Sequence, residues 1–308
     1  MDQAQSLRNL MQPRGEDAPQ RPPLRDPQRD PLRVVAVTSG KGGVGKTNLS
    51  ANLSVLAAKA GKRVLVVDAD LGLANVEILL GISPRHHVGD LIDRSVALES
   101  VLTTGPHGVC VLPAGSGVQT LTGLDDDQRM RLIHALDPLE DRFDLVIVDT
   151  GAGIGDNVLF FVGAAQEAIL LVSPEPTSLT DAYATVKVLS QQMGVRQFSV
   201  VVNPAPHEMA ARDIFQKLTR VTDRFLSAQM RYLGFLPHDD NLHRSVMAQR
   251  ALVDLYPHSP ASRALVAIAD RFFAEPPAYQ LDGGLRLLWQ RLFRENAASG
   301  RRDEPTAR

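Results

Sequence analysis

A single cysteine, Cys110, stands in 308 residues. One thiol closes no disulfide and builds no cysteine-ligated metal cluster within one chain, which points to a reducing compartment. No apolar run approaches the roughly 20 residues needed to span a bilayer. The chain opens Met-Asp-Gln-Ala-Gln, without a basic stretch ahead of an apolar one, so no secretory signal is expected. The formal net charge of -2 excludes binding of polyanions by bulk charge, and any nucleic-acid or membrane contact needs a local patch. Lysine is also scarce: there are six, and two of them, Lys41 and Lys46, fall in one eight-residue stretch.

What is present separates into zones. Residues 1–11 carry Ala4, Leu7, Leu10 and Met11 on one helical face, a short pattern that does not persist alone. Residues 12–32 interleave proline with arginine and aspartate and read as a flexible tether. Residues 33–274 alternate apolar, β-rich runs with helical patterns. The strands are expected at Val34–Thr38, Arg63–Val67, Val109–Leu112, Leu145–Val148, Ala168–Val172, Phe198–Val202 and Tyr232–Leu236. The helices are expected at Thr47–Ala60, Asp126–Glu140, Leu179–Met193, Arg212–Ala228 and Ser262–Phe273. Strands without polar alternation are buried on both faces, so the fold class is α/β, with a doubly wound, mainly parallel sheet. Residues 275–308 form a tail with one more helical pattern at 281–295.

The stretch Gly40-Lys41-Gly42-Gly43-Val44-Gly45-Lys46-Thr47 follows a strand and opens a helix at Asn48. That context identifies a phosphate-binding P-loop. Its glycines let backbone N–H groups curl around phosphate oxygens, and the helix N-terminus adds positive potential. Lys46 is placed to reach the β- and γ-phosphates, and Thr47 to ligand Mg²⁺. Lys41 sits where the generic loop leaves the residue free. A lysine this early suits a reach across a dimer interface, neutralising charge that grows on the partner's nucleotide as an arginine finger does.

Two acidic loops follow strand ends, where parallel sheets hold their ligands. In Asp68-Ala69-Asp70, Asp70 is expected to orient or deprotonate the attacking water and Asp68 to assist at the metal. Asp149, followed by Thr150-Gly151-Ala152-Gly153, occupies the Walker B position that holds Mg²⁺ through water. The Asn-Lys-x-Asp run by which many P-loop GTPases read guanine is absent. ATP is inferred, with Asn203 as a base-edge contact and Pro237 and Asp239 nearby.

These motifs resemble the deviant-Walker A ATPases of the MinD/ParA class over about residues 33–274. The resemblance implies an ATP-sandwiched homodimer, slow hydrolysis with Mg²⁺, and use as a spatial switch. The N-terminal Asp2-Gln3-Ala4-Gln5-Ser6-Leu7-Arg8 is similar to the activator motif of the FlhG (FleN) flagellar regulators, where it stimulates the partner GTPase FlhF. Asp149–Gly153 and Pro174–Tyr183 also resemble the FlhG forms. The sequence departs from the MinD loop at Ala74, where an arginine is usual. Flagellar switch-ring proteins and a flagellar transcription regulator are further partners implied by resemblance alone.

In the tail, Leu281, Leu285, Leu288, Trp289, Leu292 and Phe293 form one apolar arc, opposed by Arg286, Gln290, Arg291 and Arg294. Such a helix reads as interfacial, lying on an anionic membrane surface, although Leu287 falls on its polar side. One short helix binds marginally, and two in a dimer act together. The expected location is the cytoplasm and the cytoplasmic face of the inner membrane. The expected function is an ATP-hydrolysing switch controlling the number and placement of flagella. The alternatives are a MinD-like division-site selector, a ParA-like DNA partitioner and a metabolic or redox enzyme on the same fold. The terminal helix is too apolar for a good DNA contact, and direct DNA binding is not expected.

Overall fold

A computed structural model describes residues 32–70, 76–92, 96–113, 125, 127, 131, 134–165 and 167–275. The N-terminal motif, the tether up to residue 31 and the helix expected at 281–295 lie outside these residues, as do residues 126, 128–130, 132 and 133 of the helix expected at Asp126–Glu140, whose described end passes into a 3-10 turn at Asp137–Leu139.

The architecture is a mainly parallel eight-stranded sheet with helices on both faces. The strands are β1 (Arg33–Ser39), β2 (Val64–Ala69), β3 (Thr103–Thr104), β4 (Cys110–Pro113), β5 (Leu145–Thr150), β6 (Glu167–Val172), β7 (Gln197–Val202) and β8 (Gln229–Phe235). Their order is β3-β4-β2-β5-β1-β6-β7-β8. Every pairing is parallel except that of the two-residue β3 with β4 at the edge. Alternate residues of each strand feed two separate cores. Val34, Ala36, Val146 and Val148 enter one, and Val35, Val37, Leu145 and Ile147 the other. Burial on both faces is why these strands lack polar alternation.

The helix after β1, α1 (Lys46–Lys59), lies on the second face. On the first face lie α2 (Asp156–Ala164), α3 (Pro176–Gln192) and α4 (Glu208–Phe225), while α5 (Asp240–Met247) and α6 (Pro260–Ala274) return to the face of α1. Helix starts differ from the sequence expectation for identifiable reasons. Pro176 and Pro260 occupy the first helical turn, where a missing N–H costs nothing, so α3 and α6 start three and two residues early. His207 caps α4 by accepting from the Ala210 N–H, a residue type outside the usual capping set. Helix α5 is only eight residues long, too short for its period to declare itself.

The chain steps from β5 on one side of β1 to β6 on the other. A crevice opens at the carboxyl end of such a reversal, and this one lies at the P-loop.

Candidate nucleotide site

Strand β1 delivers the loop 40–45, and α1 carries Lys46 and Thr47 away from it. Gly43 and Gly45 have φ of 76° and 91°, conformations that L side chains rarely adopt. Gly45 is the N-cap of α1 and no side chain caps the helix there. The first-turn N–H groups therefore stay available to a phosphate, the ligand the helix dipole favours.

Beside the loop, β2 and β5 run in register so that Asp68 pairs with Asp149 across the ladder. Both carboxylates are buried. Asp149 Oδ1 accepts from the Ser50 hydroxyl at 2.8 Å, and its buried Oδ2 has no hydrogen-bond partner. Burial first, and then the charge of Asp68, push Asp149 up to about 7, against the hydrogen bonds of Ser50 and Thr47 and the charge of Lys46. Lys46 is buried too, and its pKa is lowered by that burial, with Asp149 and Asp70 opposing.

A buried carboxylate with one orphaned oxygen beside a threonine hydroxyl fits a divalent cation. No cluster of three acidic, histidine or cysteine ligands forms among the described residues. That suits Mg²⁺, which usually takes one or two carboxylates and completes its shell with water and substrate phosphate.

Asp68 is occupied on both oxygens, accepting from the Asp70 N–H at 3.2 Å and the Val76 N–H at 3.3 Å. It thereby links the residues on either side of 71–75. A Cβ on Gly151 would lie 3.7 Å from Asp70 Oδ1, so the carboxylate expected to handle water borders the second acidic loop. That loop is held to the end of β1, where the P-loop begins: the Gly153 N–H donates to Ser39 O at 2.8 Å, and Thr150 Oγ1, at the end of β5, donates to Val37 O at 2.9 Å.

The expected adenine residues have structural engagements. Asn203 Nδ2 donates to Val44 O at 2.8 Å, bracing the P-loop from the end of β7. Asp239 caps α5 through the Asn241 N–H and accepts from the Ala261 N–H at 3.0 Å, joining the starts of α5 and α6. Pro237 lies between them and the end of β8.

Lys41 is exposed and forms an ion pair with Glu175, the N-cap residue of α3. A Cβ on Gly40 would lie 2.3 Å from the Asp181 carbonyl carbon, so α3 seats directly on the loop. Ser50, Glu175 and the Gly40 contact were not singled out from sequence. Only Ser50 left a trace, standing one helical turn beyond Thr47 on α1.

Residues 35–253 match the CobQ/CobB/MinD/ParA nucleotide binding domain. The chain is 45% identical over 266 residues to antiactivator FleN of Pseudomonas aeruginosa, covering 86% of this chain and 95% of that protein. It is 28% identical to the flagellum site-determining protein YlxH of Helicobacter pylori, covering 85% and 90% of the two chains. Among solved structures, a chain of the MinC:MinD cell division protein complex of Aquifex aeolicus superposes with a TM-score of 0.64 at 29% identity, covering 82% of this chain and all of that one. With its P-loop and paired aspartates set at the switch point of a parallel sheet, the chain belongs to the MinD/ParA family of nucleotide-binding proteins and, within it, to the FleN type.

Proposed function

We propose that the protein is a slow ATPase used as a switch, which dimerises with ATP, binds the inner membrane and regulates the number and placement of flagella. The observation that carries this reading is the buried Asp149, with one oxygen unpartnered, beside Lys46 and an uncapped helix start, in a chain so similar to antiactivator FleN.

Thr47 and Asp149 would hold Mg²⁺, with Asp68 assisting, and the ion would supply positive charge to polarise the phosphates. The N–H groups of residues 40–48 cradle the phosphates, and the Lys46 ammonium balances their charge. The Asp70 carboxylate orients the attacking water and accepts its proton. Lys41 leaves Glu175 and reaches the partner protomer's phosphates. An exposed pair of this kind is worth about 0–1 kcal/mol, so the release costs little. Asn203, Pro237 and Asp239 lie toward the base, with Asn203 also holding the loop.

The tail helix 281–295, with Leu285, Leu288, Trp289, Leu292 and Phe293, is the membrane contact, and ATP-driven dimerisation makes two such helices act together. The segment holding Asp2, Gln3, Ala4, Leu7 and Arg8 stimulates an FlhF-type GTPase. No helix among the described residues is long and apolar enough to cross a membrane, which suits peripheral attachment.

Liposome co-sedimentation tests the reading. Binding to anionic vesicles is expected with a nonhydrolysable ATP analogue, not with ADP, and is lost on deleting 281–294. Binding indifferent to nucleotide, or absent with both, overturns the membrane-cycling switch.

A further inference from the structure

Close to the nucleotide site lies a surface that the proposed ATPase cycle leaves unused. Helix α5 packs on the short helical turn Val76–Leu79. The contact continues at Gly81, where φ is 65° and a Cβ would lie 2.8 Å from Gln249 O. Each element leaves a large apolar side chain in water: Ile78 is 47% and Met247 73% exposed. Arg244 and Arg250 flank Met247 in sequence, are exposed, and have no acidic partner among the described residues. The acidic Asp240, at the far end of α5, is engaged by His238 instead.

We infer that Ile78, Met247, Arg244 and Arg250 form a docking surface for an acidic segment of another protein that carries an apolar side chain. Unpaired guanidiniums beside a pliable methionine are the composition enriched at protein interfaces. Charge complementarity selects the occupant. A twofold contact between copies centred on this patch would oppose guanidinium to guanidinium. A bilayer calls for a broad apolar face, and two side chains supply little of one.

The surface is wired to the site. Asp68 Oδ2 accepts the Val76 N–H that starts the turn bearing Ile78. A change in what Asp68 holds therefore shifts one half of the docking surface against the other. This coupling rests on the nucleotide reading above, whereas the surface itself does not.

The test uses the full chain, with ADP or a nonhydrolysable ATP analogue, and a fluorescent synthetic amphipathic helix bearing glutamates along one face and leucines along the other. The glutamate peptide is expected to bind, and its lysine counterpart not to. The double variant Arg244→Glu/Arg250→Glu should weaken binding about tenfold or more, and Met247→Ser by several-fold, with basal ATPase unchanged. Affinity that differs between the two nucleotides supports the coupling; equal affinity in a protein that calorimetry shows to bind both overturns it. Peptide binding untouched by charge reversal overturns the surface. So does an Arg244→Glu/Arg250→Glu variant that loses ATP-driven dimers, which assigns the patch to a second copy. Loss of vesicle binding with peptide binding intact assigns it to lipid.

Discussion

Asp149 carries the sharpest consequence at the residue scale. Its raised pKa means that the folded, ligand-free protein binds a proton more readily than the unfolded chain does. That contribution to stability is complete below the ordinary carboxylate pKa and is lost as pH rises through about 7. Metal needs the ionised form, so Mg²⁺-nucleotide binding should release a proton and weaken by about tenfold per pH unit below neutrality. Calorimetry in buffers of different ionisation enthalpy measures both effects. Lys46→Ala should abolish nucleotide binding and ATP-driven dimers, because it removes the ammonium that balances the phosphate charge beside the buried carboxylates. Asp70→Ala should instead trap the dimer with ATP bound, as seen by size exclusion with light scattering; rapid dissociation would remove the proposed role in handling water. Asn203→Ala deletes the brace on Val44 and should weaken nucleotide binding by several-fold, without a change in fold by circular dichroism.

At the scale of elements, the seating of α3 on the P-loop and the anchoring of α6 can be tested separately. Gly40→Ala puts a methyl group into the backbone of Asp181 and Ala182, which cannot give way without moving α3. Overpacking of this kind costs about 1–3 kcal/mol, read as a lowered urea midpoint, and should also displace Lys41 from Glu175. At the opposite end of the sheet, Arg33 forms a buried bidentate pair with Glu167 and donates to Phe272 O at 2.7 Å. Its guanidinium also lies 3.7 Å from the centre of the Phe272 ring. One side chain thus joins the start of β1 and the start of β6 to the end of α6. Arg33→Met should cost up to about 3–5 kcal/mol by leaving the buried Glu167 with only the longer contact to Arg231 at 4.0 Å. Pairing it with Glu167→Leu should recover much of that loss, and a double-mutant cycle in urea measures the recovery.

For the whole molecule, the nucleotide site lies at the carboxyl ends of the central strands, while β1 begins and α6 ends at the opposite ends, joined through Arg33. Both segments proposed to bind partners therefore attach at the pole away from the phosphates. Removing residues 1–11 should spare ATP binding and dimerisation and abolish stimulation of the partner GTPase, measured as phosphate release from the two proteins together. Changes at that pole should leave nucleotide affinity intact when measured on the isolated protein.

Local pattern by itself determined the parallel α/β sheet, the P-loop and the two acidic strand ends. Buried strands read as unbroken apolar runs, and a glycine loop between strand and helix has one dominant use. Contacts distant in sequence were decided only by tertiary structure. The Ser50 hydroxyl on Asp149 spans 99 residues, the Asn203 brace 159 and the Arg33 contact with Phe272 239. The antiparallel β3 edge and the α5 helix were missed because two and eight residues are too few to show a period. Asp239 reads as a base contact because it follows a strand end; that the fold also engages both its oxygens at the starts of two helices was not legible in the sequence. Residue type announces what chemistry is possible; which groups meet, and which oxygen is left without a partner, follows from how the strands are ordered in the sheet.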